Sequence, residues 1–71
     1  MAKIIKAHIT GTVWKVEVNL GDKVDEGTVV AILESMKMEM PVEAEDSGTV
    51  AEIFVIPGQA VTEGADLVRL D

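Results

Sequence analysis

Residues 11–34 read GTVWKVEVNLGDKVDEGTVVAILE, and residues 48–71 read GTVAEIFVIPGQAVTEGADLVRLD. Laid over each other at an offset of 37, the two stretches share nine identities in 24 positions. Among them are Gly11-Thr12-Val13 with Gly48-Thr49-Val50, Glu26-Gly27 with Glu63-Gly64, and Leu33 with Leu70. All six glycines fall into three equivalent pairs: 11/48, 21/58 and 27/64. Glycine marks backbone that needs a positive φ or a close approach. Matching glycines therefore mean matching turns, and the two halves are expected to share one backbone path.

Each half reads as strands. Trp14, Val16 and Val18 alternate with Lys15, Glu17 and Asn19, the period of a half-buried strand, which places Trp14 in the core. Val29-Val30-Ala31-Ile32-Leu33 is short, β-rich and uninterrupted, the pattern of a strand buried on both faces. Gly21-Asp22-Lys23, Gly58-Gln59-Ala60, Asp25-Glu26-Gly27 and Thr62-Glu63-Gly64 read as turns. The predicted strands are 3–7, 12–18, 23–24, 29–34, 38–43, 49–55, 60–61 and 66–70, four per half. No window carries an amphipathic helix of useful length. The pattern predicts an all-β sandwich or flattened barrel. The repeat aligns Phe54 with Glu17, so Phe54 is expected to be partly exposed. If a pseudo-two-fold axis relates the halves, it carries Glu34 to Asp71 and Met38 to Met1. The chain ends are then expected side by side, far from the joint between the halves.

The chain has 71 residues, room for a single domain over 1–71 that is monomeric when isolated. Apolar residues make up 48%, enough for one compact core. There is no cysteine, which excludes disulfides and thiol chemistry, and His8 is the single histidine, too few for a histidine metal site or a catalytic triad. No apolar run approaches a membrane span, and Lys3 and Lys6 interrupt any signal-like start, so the expected compartment is the cytoplasm. Net charge is −7, all of it contributed by residues 38–71. An acidic chain with two aromatics lacks both the phosphate-neutralising charge and the stacking platform of a nucleic-acid binder. The acidic half reads as a solubilising face, or as a docking surface for basic partners.

Between the repeats lies Glu34-Ser35-Met36-Lys37-Met38-Glu39-Met40, which crowds three of the four methionines around one lysine. One reading is a strand with Met36, Met38 and Met40 inward and Lys37 outward. Against it, Lys37 falls where the chain must reverse, and no glycine is offered there. Met36-Lys37 would occupy a tight turn that normally asks for Asn-Gly. A locally disfavoured sequence at a hairpin tip points to a site that something else reads.

Glu34-Ser35-Met36-Lys37-Met38 resembles the attachment motif of biotinyl domains, whose usual form is Glu-Ala-Met-Lys-Met. The resemblance spans essentially the whole chain, through Gly11-Thr12-Val13, Gly21-Asp22-Lys23-Val24, Glu26-Gly27, Asp46-Ser47-Gly48-Thr49-Val50 and Gly58-Gln59-Ala60-Val61. It is strongest to small, free-standing bacterial biotin/lipoyl attachment proteins of the biotin carboxyl carrier type. It implies a barrel-sandwich hybrid of two four-stranded antiparallel sheets, with the modified lysine on an exposed hairpin. By position, Lys37 would carry covalent biotin, and Met36 and Met38 would be the flanks a ligase recognises. The implied role is non-catalytic. A biotin protein ligase would acylate Lys37, and the carrier would take carboxybiotin from a biotin carboxylase to a carboxyltransferase, usually of an acyl-CoA carboxylase. Lipoate on the same lysine is the alternative, although lipoyl domains usually present Asp-Lys-Ala; an unmodified interaction module of the same fold is a further one. Ser35 departs from the usual Ala, and Ala7-His8-Ile9-Thr10 from a Pro-Met-Pro-like stretch. The protruding insertion of some acetyl-CoA carboxylase carriers is absent before Gly21.

Overall fold

A computed structural model describes residues 3–71. It contains eight strands: β1 (Lys3–Lys6), β2 (Gly11–Val16), β3 (Lys23–Val24), β4 (Val29–Ser35), β5 (Met38–Glu43), β6 (Gly48–Ile53), β7 (Ala60–Val61) and β8 (Asp66–Leu70). They form two four-stranded antiparallel sheets, ordered β1-β8-β6-β3 and β5-β4-β2-β7. Shifting each strand by half the list converts one sheet into the other: β1 takes the place of β5, β8 of β4, β6 of β2 and β3 of β7. The internal repeat is thus a pseudo-two-fold relation between the sheets.

The hydrogen bonds obey the same relation. Val13 N donates to Gln59 O at 2.8 Å, and Val50 N to Asp22 O at 2.8 Å. Glu17 N donates to Val30 O, and Phe54 N to Leu67 O, both at 2.9 Å. Even a side-chain device recurs with different chemistry. Asp22 Oδ2 accepts from Asn19 N at 2.8 Å, and Gln59 Oε1 accepts from Ile56 N at 3.2 Å, each closing the turn before a short strand.

The core goes further than the identities. Its buried residues are Ile5, Ala7, Val13, Val18, Val24, Val30, Ala31 and Leu33 from one half. From the other come Val42, Ala44, Val50, Val55, Val61, Leu67, Val68 and Leu70. Every residue of the first set lies 37 positions before one of the second, so among the described residues all buried side chains pair off. The repeat therefore begins upstream of Gly11, at Ile5/Val42 and Ala7/Ala44, where no identity except Ala marks it. The core is wholly aliphatic, built from branched side chains that suit pleated surfaces.

Two expectations need correction, and bulges explain both. Trp14 is 41% exposed rather than in the core. Val13 pairs with Leu33 and Lys15 with Ile32, so Trp14 is the extra residue of a bulge and is turned outward. There Lys15 Nζ lies 4.7 Å from the centre of the indole. Ala51 is the extra residue at the equivalent place in β6. The unbroken run Val29–Leu33 is likewise not a strand buried on both faces. Val29 pairs with Glu43 and Ala31 with Val42, leaving Val30 as an extra residue, so Val30 and Ala31 are buried in succession. Phe54 is 40% exposed, as the alignment with Glu17 anticipates.

The expected meeting of chain ends is seen at the described residues: Lys3 pairs with Leu70 across β1 and β8. Met1 lies outside the described residues. Arg69 closes this region, with Nε 3.1 Å from Glu52 Oε1 and Nη1 2.6 Å from Asp71 Oδ1. Such solvent-facing pairs are worth about 0–1 kcal/mol each.

Candidate functional site

The joint between the halves is a two-residue hairpin. β4 and β5 stay paired from Leu33↔Met40 through Glu34↔Glu39 to Ser35↔Met38. Only Met36 and Lys37 remain to reverse the chain. Their φ values are +52° and +65°, the double left-handed geometry of a type I′ turn. Among the described residues these are the two non-glycine positions with positive φ. Each costs on the order of 1–2 kcal/mol for a residue with a Cβ.

Exposure decides between the two readings of the methionines. Met36 is 92% exposed and Met38 59%; only Met40, opposite Leu33, is half-buried. The inward methionine stripe is therefore not what forms. Lys37 is exposed, and no hydrogen bond or ion pair engages its ammonium among the described residues. Its primary amine is free to be approached from solvent, with an apolar, uncharged side chain on either side in sequence.

The base of the hairpin is braced. Thr12 pairs with Glu34, and Gly11 lies so close that an added Cβ would meet the Glu34 carbonyl oxygen at 2.5 Å and Ser35 Cβ at 3.3 Å. Gly11 is thus needed for close approach, not for a left-handed φ. At its equivalent, Gly48, an added Cβ would stand 2.9 Å from the Asp71 carbonyl oxygen. Glu34 and Glu39 stand directly opposite on the outer face. This like-charge pair brings no stability and keeps an acidic collar beneath the lysine.

The structure brings Met36, Lys37 and Met38 to one tip and leaves the other lysines elsewhere. Lys3 and Lys6 lie on β1, Lys23 on β3, and Lys15 over Trp14. Lys6 is paired with Asp66 at 2.7 Å, and Lys3 Nζ donates to Ser47 O at 2.9 Å. His8 is exposed, and no cluster of metal-ligating side chains occurs among the described residues. The brace at Gly11 is a contributor that residue patterns show only faintly: the 11/48 pair opens a strand instead of sitting in a turn.

The family model described as "Biotin-requiring enzyme" matches residues 1–70. The chain belongs to the biotin/lipoyl attachment family. It is 46% identical over 66 residues to a biotin/lipoyl attachment protein of Bacillus subtilis, covering 93% of this chain and 90% of the relative. It is 44% identical over 69 residues to a biotin carboxyl carrier protein of Streptococcus mutans, covering 97% of this chain and 53% of that one. Among solved structures, the Kluyveromyces lactis urea carboxylase contains a matching region with a TM-score of 0.94 and 35% identity. That match takes in all of this chain but 6% of the carboxylase. The family thus includes both small free-standing chains and pieces of large carboxylases, and its fold is the two-sheet, two-fold arrangement described above.

Proposed function

We propose that Lys37 carries biotin through an amide bond and that the chain is a biotin carboxyl carrier. The single observation that carries this reading is a solvent-exposed lysine at the second position of a strained two-residue turn, in a family described as biotin-requiring. The residues fit the group. A covalent tether needs no pocket, only a reachable amine on a rigid support, and the braced β4–β5 hairpin supplies both.

The chain's part in its own modification is that of a nucleophile. Lys37 Nζ forms a bond to the acyl carbon of an activated biotin, and the activating group leaves. Only the neutral amine can attack, so a biotin protein ligase has to take the proton and fix the approach. The lysine charge disappears with the amide, and the net charge moves from −7 to −8. When bound, biotin supplies a ring nitrogen that accepts and surrenders a carboxyl group. The protein contributes a stiff post and a long side chain, which raise the local concentration of the cofactor at a biotin carboxylase and at a carboxyltransferase. Met36 and Met38 are the flanks a ligase reads. Lipoate on Lys37 is disfavoured by the Met-Lys-Met setting and by the biotin-named relatives.

The test is intact mass of the chain coexpressed with a biotin ligase, together with avidin capture. Lys37→Arg keeps the cation but removes an amine able to form the stable amide. Capture of the parent and loss of capture in Lys37→Arg is the expected result. An avidin-bound Lys37→Arg chain would place the modification elsewhere.

A further inference from the structure

The chain has no cysteine, so methionine holds its only sulfur. Among the described residues, the three methionines sit within five positions of one another and are graded in exposure. Met36 is 92% exposed, Met38 59%, and Met40 is half-buried on β5. The grading follows from the turn: Met36 is a central residue with φ of +52°, outside the ladder, whereas Met38 and Met40 are paired residues of β5. Thioether oxidation requires the oxidant to reach a sulfur lone pair, so the most exposed sulfur reacts first.

We propose that Met36 is a peroxide-sensitive modification site that switches the acceptor competence of Lys37. The step uses hydrogen peroxide as the two-electron oxidant. The Met36 sulfur lone pair attacks one peroxide oxygen and the O–O bond breaks. That oxygen stays on sulfur as the sulfoxide, and the other leaves as water after taking up the transferred proton. Sulfur is oxidised and peroxide is reduced. The product is a strong dipole where an apolar side chain stood, one residue before the reactive amine. A partner surface shaped for a thioether then has to bury an unpaired S=O group. Sulfoxide reductases reverse the change, which makes it a switch rather than damage. The inference rests on the reading of Lys37 as the biotin acceptor.

The experiment treats the purified, unmodified full chain with graded hydrogen peroxide, quenches it and splits each sample. One part is digested with trypsin, which cleaves after unmodified Lys37 and so separates Met36 from Met38 and Met40; Met1 falls on its own short peptide. The other part is labelled with biotin, ATP and a biotin protein ligase, and the initial rate is read. The peptide ending at Lys37 should gain one oxygen before the peptide beginning at Met38 does. At that dose the labelling rate should fall about tenfold, the penalty expected for desolvating an unmatched dipole. Treatment with methionine sulfoxide reductases should restore it. A Met36→Leu chain, whatever its own starting rate, should hold that rate through the same dose. Oxidation of Met38 or Met40 ahead of Met36 overturns the inference, as does unchanged labelling of chain oxidised at Met36. Absence of labelling in the untreated chain is a separate outcome that refutes the biotin reading, while the order of oxidation still judges the reactivity of Met36.

Discussion

Replacing Lys37 with glycine should make the domain more stable. Lys37 holds φ at +65° with a Cβ present, a conformation that costs an L residue about 1–2 kcal/mol. Glycine has no such penalty but brings more freedom to the unfolded chain, which takes back about 0.5–1 kcal/mol. The Lys37 side chain is exposed, and no hydrogen bond or ion pair would be lost among the described residues. The net gain is therefore about 0–1.5 kcal/mol; at the middle of that range, about 0.75 kcal/mol, Tm rises by roughly 3–6 °C in a domain of this size. Urea unfolding and a thermal melt followed by circular dichroism would measure it. The reciprocal change supplies the control. Gly64 has φ of +91° with open space where a Cβ would project, so Gly64→Ala pays only the conformational cost and should lose about 1 kcal/mol. A Lys37→Gly chain that melts at or below the parent would refute the idea that the turn stores strain. It would also remove the reason for regarding the lysine as held there against the preference of the fold.

Gly11→Ala should lower stability by about 1–3 kcal/mol, because the new Cβ would stand 2.5 Å from the Glu34 carbonyl oxygen and neither backbone can yield freely. Gly48→Ala should cost less in the same urea titration, since its added Cβ would stand 2.9 Å from the nearest atom, the Asp71 carbonyl oxygen, instead of 2.5 Å. Met38→Ala should change the unfolding midpoint only slightly, as Met38 is mostly exposed, whereas Leu33→Ala, in a fully buried site, should cost about 2–5 kcal/mol. Labelling by the ligase should show the opposite order, with Met38→Ala slowed and folded Leu33→Ala near the parent rate.

Much of the fold could be read from glycine spacing and apolar period. All eight strands fall within two residues of the predicted bounds, because turns at Gly21, Gly27, Gly58 and Gly64 punctuate them. Trp14 and the Val29–Leu33 run escaped for one reason. A bulge adds a residue and reverses the alternation downstream of it, and nothing in the local sequence at Trp14 or Val30 announces one. The upstream extent of the repeat escaped for another: Ile5 and Val42 are equivalent in the core without being identical. At the tip, position at the joint of the repeat pointed to a turn at Met36 and Lys37 although no glycine announced it, and exposure separated that reading from an inward methionine stripe. The brace at Gly11 needed coordinates, because a close backbone approach between β2 and β4 depends on tertiary packing.

The two-fold relation also explains why this lysine, and not another, stands apart. The axis carries the β4–β5 connection onto the place where β8 and β1 run side by side, with Lys3 opposite Leu70. At one of these equivalent places the chain is open; at the other it must close in two residues. The closed end asks for residues that tolerate positive φ, and Asn-Gly would meet that demand at least cost. Met36 and Lys37 meet it badly, and Met36 leaves a long apolar side chain almost wholly in water. Packing does not account for them, since neither is buried, and conformational preference opposes them. A pair of residues that the fold neither needs nor favours, held at the one joint the fold cannot omit, is best explained by recognition from outside the molecule.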